Sequence, residues 1–153
     1  MKILLAFLLS FSAYAKINGE FTSEFKRKDM DCMIQAKISS KKDSEITFKN
    51  WDEYCEDSKG NSTESSLEDV MTYEKISENK LKVTQGKEKI ELDAKIAIFK
   101  KNHVHYNFVV DTEDGKLEIN EEYELKGTDL IFSSIYILDG QEIINKSGTV
   151  KKK

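Results

Sequence analysis

The sequence predicts an all-β fold: an antiparallel up-and-down β-barrel of about eight to ten strands, with a two-sheet β-sandwich as the alternative. Three observations carry this prediction. The C-terminal third divides into four strand-like runs, Val104–Val110, Lys116–Leu125, Leu130–Leu138 and Gln141–Thr149, parted by turns too short for a parallel crossover. The run from Lys87 to Phe99 alternates with a period of two, Ile90, Leu92, Ala94, Ile96 and Ile98 against Glu91, Asp93 and Lys95. No strand–helix–strand alternation is visible in the 153 residues, and the chain has no proline to interrupt a ladder. Closure into a barrel is preferred because an open sheet of this length exposes its edges.

Taken in order, the chain opens on a leader. Lys2 precedes an almost wholly apolar run from Ile3 to Ala13, and Ala13-Tyr14-Ala15 is a small-x-small cleavage site. Residues 1–15 read as a secretory signal peptide and residues 16–153 as a single domain, periplasmic or secreted. The apolar run is too short to span a bilayer as a helix, so the mature chain is expected not to be membrane-spanning.

Ile17, Gly19 and Phe21 mark a weak first strand within Lys16–Phe25. Asp31–Ser39 alternates Cys32, Ile34, Ala36 and Ile38 against polar neighbours, and Glu45–Trp51 carries Ile46 and Phe48. These two runs are expected to pair as a hairpin, with Ile38 opposite Glu45 and Cys32 near Trp51. Asp57–Asp69 is Ser-rich and acidic and reads as an exposed loop, with room for one helical turn over Ser65–Asp69. Val70–Ile76 and Leu81–Thr84 are short strands, and Gly86 marks a turn into the long Lys87–Phe99 run. In the final hairpin, Asp139-Gly140 suits a two-residue type I′ turn, because both positions need positive φ. Lys151–Lys153 reads as a frayed basic terminus.

Cys32 and Cys55 are the only cysteines. In an exported chain they read as one disulfide, worth roughly 3 kcal/mol on a chain-entropy argument. Two free thiols or a redox site are the alternatives. The separation is too wide for a Cys-x-x-Cys redox pair.

The last hairpin offers a test of which face is inside. With a two-residue turn and regular pairing, Tyr136 faces Ile143, Ser134 faces Asn145 and Phe132 faces Ser147, and none of these carries a formal charge. The opposite face holds Glu142 and Lys146. Burying an unpaired charge costs far more than burying a hydroxyl or amide with a partner, so the Phe132–Tyr136 face is expected inside. Extended to neighbouring strands, this interior gives a candidate pocket lined by Tyr106, Phe108, Tyr123, Phe132, Ser134, Tyr136 and Asn145. A plain packed core is the alternative. Strict alternation also turns Glu121 inward, as a pocket charge, a bulge or an error of assignment. Ile131, Ile135, Ile137 and Ile144 would then face outward, either covered by the Asp57–Asp69 segment or forming an apolar patch for a protein partner.

Several chemistries find no support. The net charge is −4 and no aromatic–basic interleaving is present, so nucleic acid is not an expected partner. His103 and His105 share a strand face, but no supporting ligand spacing completes a metal site. Neither a nucleophile elbow nor a phosphate-cradling glycine loop is present, and no catalytic residue and no cofactor is assigned. Charges such as Asp93, Lys95, Glu118 and Glu122 interrupt the uninterrupted apolar face that an outer-membrane barrel requires.

The stretch LIFSSIYILDGQEIINKSGTVKKK resembles the closing hairpin of calycins, the lipocalin and fatty-acid-binding-like barrels. Gly19-x-Phe21 is similar to the lipocalin Gly-x-Trp start, with phenylalanine in place of tryptophan. The arginine that packs over that tryptophan has no counterpart here, and neither do the arginines and tyrosine that hold a fatty-acid carboxylate. The resemblance implies a lipocalin-like barrel around a cavity for small hydrophobic or amphipathic molecules. The leading functional expectation is therefore a non-catalytic binding protein for such a ligand. The alternative is a protein-binding or inhibitory domain acting through a surface loop or the apolar sheet face. An enzyme ranks third.

Overall fold

The computed structural model describes residues 17–153, so the expected signal peptide lies outside the described residues. Eleven strands follow one another: β1 Gly19–Arg27, β2 Met30–Ser39, β3 Glu45–Asp57, β4 Ser62–Ser66, β5 Met71–Ser77, β6 Lys80–Gln85, β7 Glu88–Lys100, β8 His103–Thr112, β9 Gly115–Lys126, β10 Asp129–Leu138 and β11 Gln141–Lys152. Every pairing is antiparallel, and the order β2-β1-β11-β10-β9-β8-β7-β6-β5-β3 is closed by the β2–β3 pair. Ten strands thus form a closed barrel, and the sandwich is excluded. β4 stands outside the ring.

The turns behave as their residues dictate. Asp139 and Gly140 both have positive φ, 47° and 83°, as a type I′ turn requires. The β8–β9 turn is locked to this one. Asp139 accepts the Lys116 amide at 2.9 Å, and a Cβ at Gly115 would lie 2.2 Å from the same carboxylate. Gly115 also has φ +133°, so only glycine fits there.

The predicted Asp57–Asp69 loop is instead a hairpin. β4 pairs with the second half of β3, from Asp52↔Ser66 to Glu56↔Ser62, while β5 pairs only with the first half, Glu45–Phe48. The long β3 therefore belongs to the barrel along one half and carries a flap along the other. The Lys151–Lys153 tail is not frayed either. Lys151 and Lys152 pair with Thr22 and Phe21, and these are the two residue pairs that join β11 to β1.

Four one-residue irregularities interrupt the ladders; one, at Ile76, lies at the end of β5, and the other three reset the alternation within long strands. Between β2 and β3, Lys49 is extra, so Ile38 lies opposite Phe48 and Cys32 opposite Cys55, not Trp51. Lys95 is extra in β7, which turns Ala97 and Phe99 inward and leaves Ile98 37% exposed, so the period-two run of Ile90 to Ile98 does not keep to one face. Ile143 is extra in β11. Beyond it Tyr136 pairs with Ile144 and Ser134 with Lys146, so Asn145 stands on the exposed outer side.

The disulfide forms, joining Cys32 to Cys55 across the β2–β3 ladder with Cα atoms 4.0 Å apart. At the barrel end that holds the β9–β10 turn, Ile17, Ile38, Ile46, Leu81, Leu130 and Val150 are all buried to 2% exposure or less. The site lies toward the opposite end.

Candidate functional site

β9, β10 and β11 each contribute one inward residue to a polar row: Glu121, Ser134 and Lys146. Glu121 is 7% exposed, so it is the pocket charge that strict alternation allowed. Its carboxylate is held by four hydroxyls. Tyr136 donates to Oε1 at 2.6 Å and Ser134 to the same oxygen at 3.4 Å; Tyr123 donates to Oε2 at 3.2 Å, and Tyr106 donates to Oε2 as well. Two donors on each oxygen occupy the lone-pair positions that a carboxylate offers. All four donors are neutral.

The tyrosines respond to this arrangement. Burial first, and the negative charge of Glu121 second, hold the phenols of Tyr73, Tyr106, Tyr123 and Tyr136 well above the ordinary tyrosine value. They are therefore protonated hydrogen-bond donors at neutral pH.

Lys146 has a different partner. Its Nζ lies 3.2 Å from Glu53 Oε2, and the Arg27 guanidinium lies 2.9 Å from Glu53 Oε1. Glu53 is 6% exposed and faces inward from β3, on the side of Trp51 and Cys55. This three-residue bridge runs from β1 through β3 to β11. It spans the end of the barrel where β1 and β11 are not paired with each other.

Above Glu121 a cavity of about 350 Å³ opens toward the β3–β4 flap. Its wall carries five aromatic rings, Phe48, Trp51, Tyr73, Tyr123 and Tyr136, with Met71, Ile119, Ile144 and Leu67 beside them. Ser65 and Ser66 of the flap and Gln85 of β6 form the rim, and Glu121, Ser134 and Lys146 supply the polar contacts. The rings brace one another. Phe48 packs against Tyr123 at 4.9 Å between centroids, Trp51 sits edge-on to Tyr123 at 6.0 Å, and Tyr73 stacks on Tyr106 at 4.3 Å. A volume in this range with a few convergent polar groups suits a small molecule. A larger depression of about 490 Å³ on β1–β3 is lined by Glu24, Lys26, Asp31, Met33 and Tyr54 together with half-buried Phe25 and buried Cys32.

Of the residues singled out from sequence, Tyr123, Ser134 and Tyr136 line the cavity. Tyr106 lies behind it, fully buried, and reaches Glu121 from the core. Phe108 and Phe132 are core residues, 3% and 5% exposed, with Phe132 packed 5.1 Å from Trp51 and over Gly148. Asn145 is outside and bonds to Glu142. Ile144, expected outside, is part of the cavity wall. The outward isoleucines Ile131, Ile135 and Ile137 alternate with polar rows. Their neighbours are Glu124, Asn120 and Glu118 on β9, and Thr149, Asn145 and Glu142 on β11. Trp51, Tyr73, Glu53 and Lys146 were not anticipated as site residues. The signal for Trp51 was present in part, as an aromatic at the end of an alternating run.

On the outer face, His103 Nε2 lies 2.7 Å from Glu122 and His105 Nε2 lies 2.9 Å from Asn120. Among the described residues, no group of three or more histidine, cysteine or acidic side chains is placed to hold a metal ion. Among the described residues, no helix is long and apolar enough to cross a membrane.

No family model, curated protein or solved structure matches the chain. The closed ten-strand antiparallel barrel is consistent with the calycin architecture at the level of fold. The functional reading therefore rests on the cavity and its chemistry.

Proposed function

We propose that this chain is a non-catalytic binding protein that takes a small hydrophobic or amphipathic molecule into the open end of its barrel, outside the cytoplasm. The observation that supports this most is the cavity of about 350 Å³, walled by five aromatic rings with a buried polar cluster at its floor. The rings offer apolar contact, and the cluster orients a polar head. The Cys32–Cys55 disulfide is consistent with an oxidising compartment, and the leader read from the sequence supports export. The flap feature that suggested a protein partner serves the same cavity, because Ser65, Ser66 and Leu67 are part of its rim and wall.

Trp51 is the only tryptophan in the chain and lies on the cavity wall, so it reports occupancy directly. N-phenyl-1-naphthylamine, a neutral apolar fluorophore, is expected to bind saturably at one molecule per chain, with energy transfer from Trp51. Ile144→Arg, which places a long charged side chain on the wall, is expected to abolish that binding while leaving the far-UV circular dichroism unchanged. Absence of saturable binding to the unmodified protein overturns the proposal.

A further inference from the structure

The two buried carboxylates of the barrel interior have opposite surroundings. Glu53 is engaged by two cations, Arg27 and Lys146. Glu121 is engaged only by hydroxyls, and its place is the cavity floor. Lys146 is the one cationic side chain on the wall, and its ammonium is turned to Glu53. The cavity therefore holds a formal negative charge without a positive partner, beneath a set of aromatic faces. A carboxylate in a partly dry, low-dielectric site attracts a cation strongly, and aromatic faces attract one through their quadrupoles.

From this we infer that the ligand of the cavity is an organic cation: an amine, protonated at neutral pH, carried on an apolar or aromatic body. The inference rests on the binding reading above and names its substrate class. The ammonium would approach Glu121 Oε1 from the cavity side, where Ser134 makes the longest contact of the four at 3.4 Å and is the donor most readily displaced. The Tyr136 hydroxyl, which donates to the same oxygen, keeps a lone pair free to accept an ammonium N–H. Tyr106 holds Oε2 from the core side and stays in place, so the carboxylate does not move to meet the ligand. The apolar body would lie against Trp51, Phe48 and Tyr123, whose mutual contacts keep the wall rigid.

The test uses three probes of matched shape on the whole mature protein: 4-phenylbutylammonium, 4-phenylbutanol and 4-phenylbutyrate, titrated by calorimetry and by Trp51 fluorescence at neutral pH. The ammonium is expected to bind at least tenfold tighter than the alcohol, and the carboxylate weakest. Glu121→Gln is expected to bring the ammonium down to the affinity of the alcohol. Because Glu121 is buried and its replacement can unfold the chain, Lys146→Met provides a second variant. It removes the competing positive charge and is expected to raise the ratio of ammonium to alcohol affinity several-fold. Equal binding of ammonium and alcohol, or tightest binding of the carboxylate, overturns the inference while leaving the binding reading intact. If none of the three probes binds and N-phenyl-1-naphthylamine also fails, the binding reading itself fails, and the inference with it.

Discussion

Ile17, Ile38, Ile46, Leu81, Leu130 and Val150 close one end of the barrel with aliphatic side chains, whereas Glu53, Glu121, Ser134 and Lys146 put charges and a hydroxyl inside toward the other. The same strands run through both regions. β10, for example, contributes Leu130 to the packed end and Ser134 and Tyr136 to the cavity. The difference lies in what the inward residues can do without water. Branched aliphatics meet and exclude solvent, and the pocket beside Ile17 and Val104 at that end holds only about 10 Å³. Charged and hydroxyl groups must keep hydrogen-bond partners, and the rings that carry them are propped against one another rather than collapsed. A cavity persists where the inward side chains cannot fill the lumen and keep their partners at once.

Four measurements sharpen or break this contrast. The largest effect is expected at alkaline pH. Tyr73, Tyr106, Tyr123 and Tyr136 have folded-state pKa values raised by burial and by Glu121, above the value near 10 that holds in the unfolded chain. The folded state keeps protons that the unfolded state releases. Their contribution is therefore fully present below pH 10 and declines above it, by up to about 1.4 kcal/mol per pH unit for each tyrosine. Phenolate absorbance at 295 nm should show these four ionising together with loss of circular dichroism. Ionisation of all the tyrosines in a folded protein would mean that the cluster is open to solvent.

Leu130→Ala strikes the packed end and is expected to cost about 2–5 kcal/mol in urea unfolding, with ligand affinity unaltered in the folded fraction. Replacing both cysteines, Cys32→Ala with Cys55→Ala, is expected to cost about 3 kcal/mol, because the cross-link spans a separation of 23 residues. A midpoint unchanged by reduction of the wild type would show that the β2–β3 pairing needs no cross-link. Tyr136→Phe is the smallest in stability. It removes the 2.6 Å bond to Glu121 and is expected to cost about 1 kcal/mol. Its effect on cavity binding should exceed that of Leu130→Ala. If the two variants change stability and binding in the same proportion, the two ends are not functionally distinct.

Much of the fold was legible because antiparallel meanders announce themselves locally. The strands from Val104 to Thr149 and the Asp139-Gly140 turn came from period and turn chemistry alone, whereas for Glu121 alternation left a pocket charge, a bulge and an error of assignment all open. What escaped prediction were single inserted residues. Lys49, Lys95 and Ile143 each add one position to a strand without changing its composition, and each reverses every side chain beyond it. That is why Asn145 was expected in the pocket and Lys146 outside it. The flap was missed for another reason. Ser62–Ser66 is exposed throughout, so β4 has no apolar alternation to reveal it, and only its backbone pairing with β3 makes it a strand.

The sequence by itself determined an all-antiparallel barrel with its turns and its inward aromatic rows, because these depend on neighbours a few residues away. The tertiary structure alone decided that charge could go inside. Lys146 was placed outside on the rule that an unpaired charge is not buried. The rule holds, and the prediction failed because Glu53, 93 residues away in sequence, is brought within 3.2 Å to pair with it. A partner that arrives only when the barrel closes leaves no mark on the local pattern.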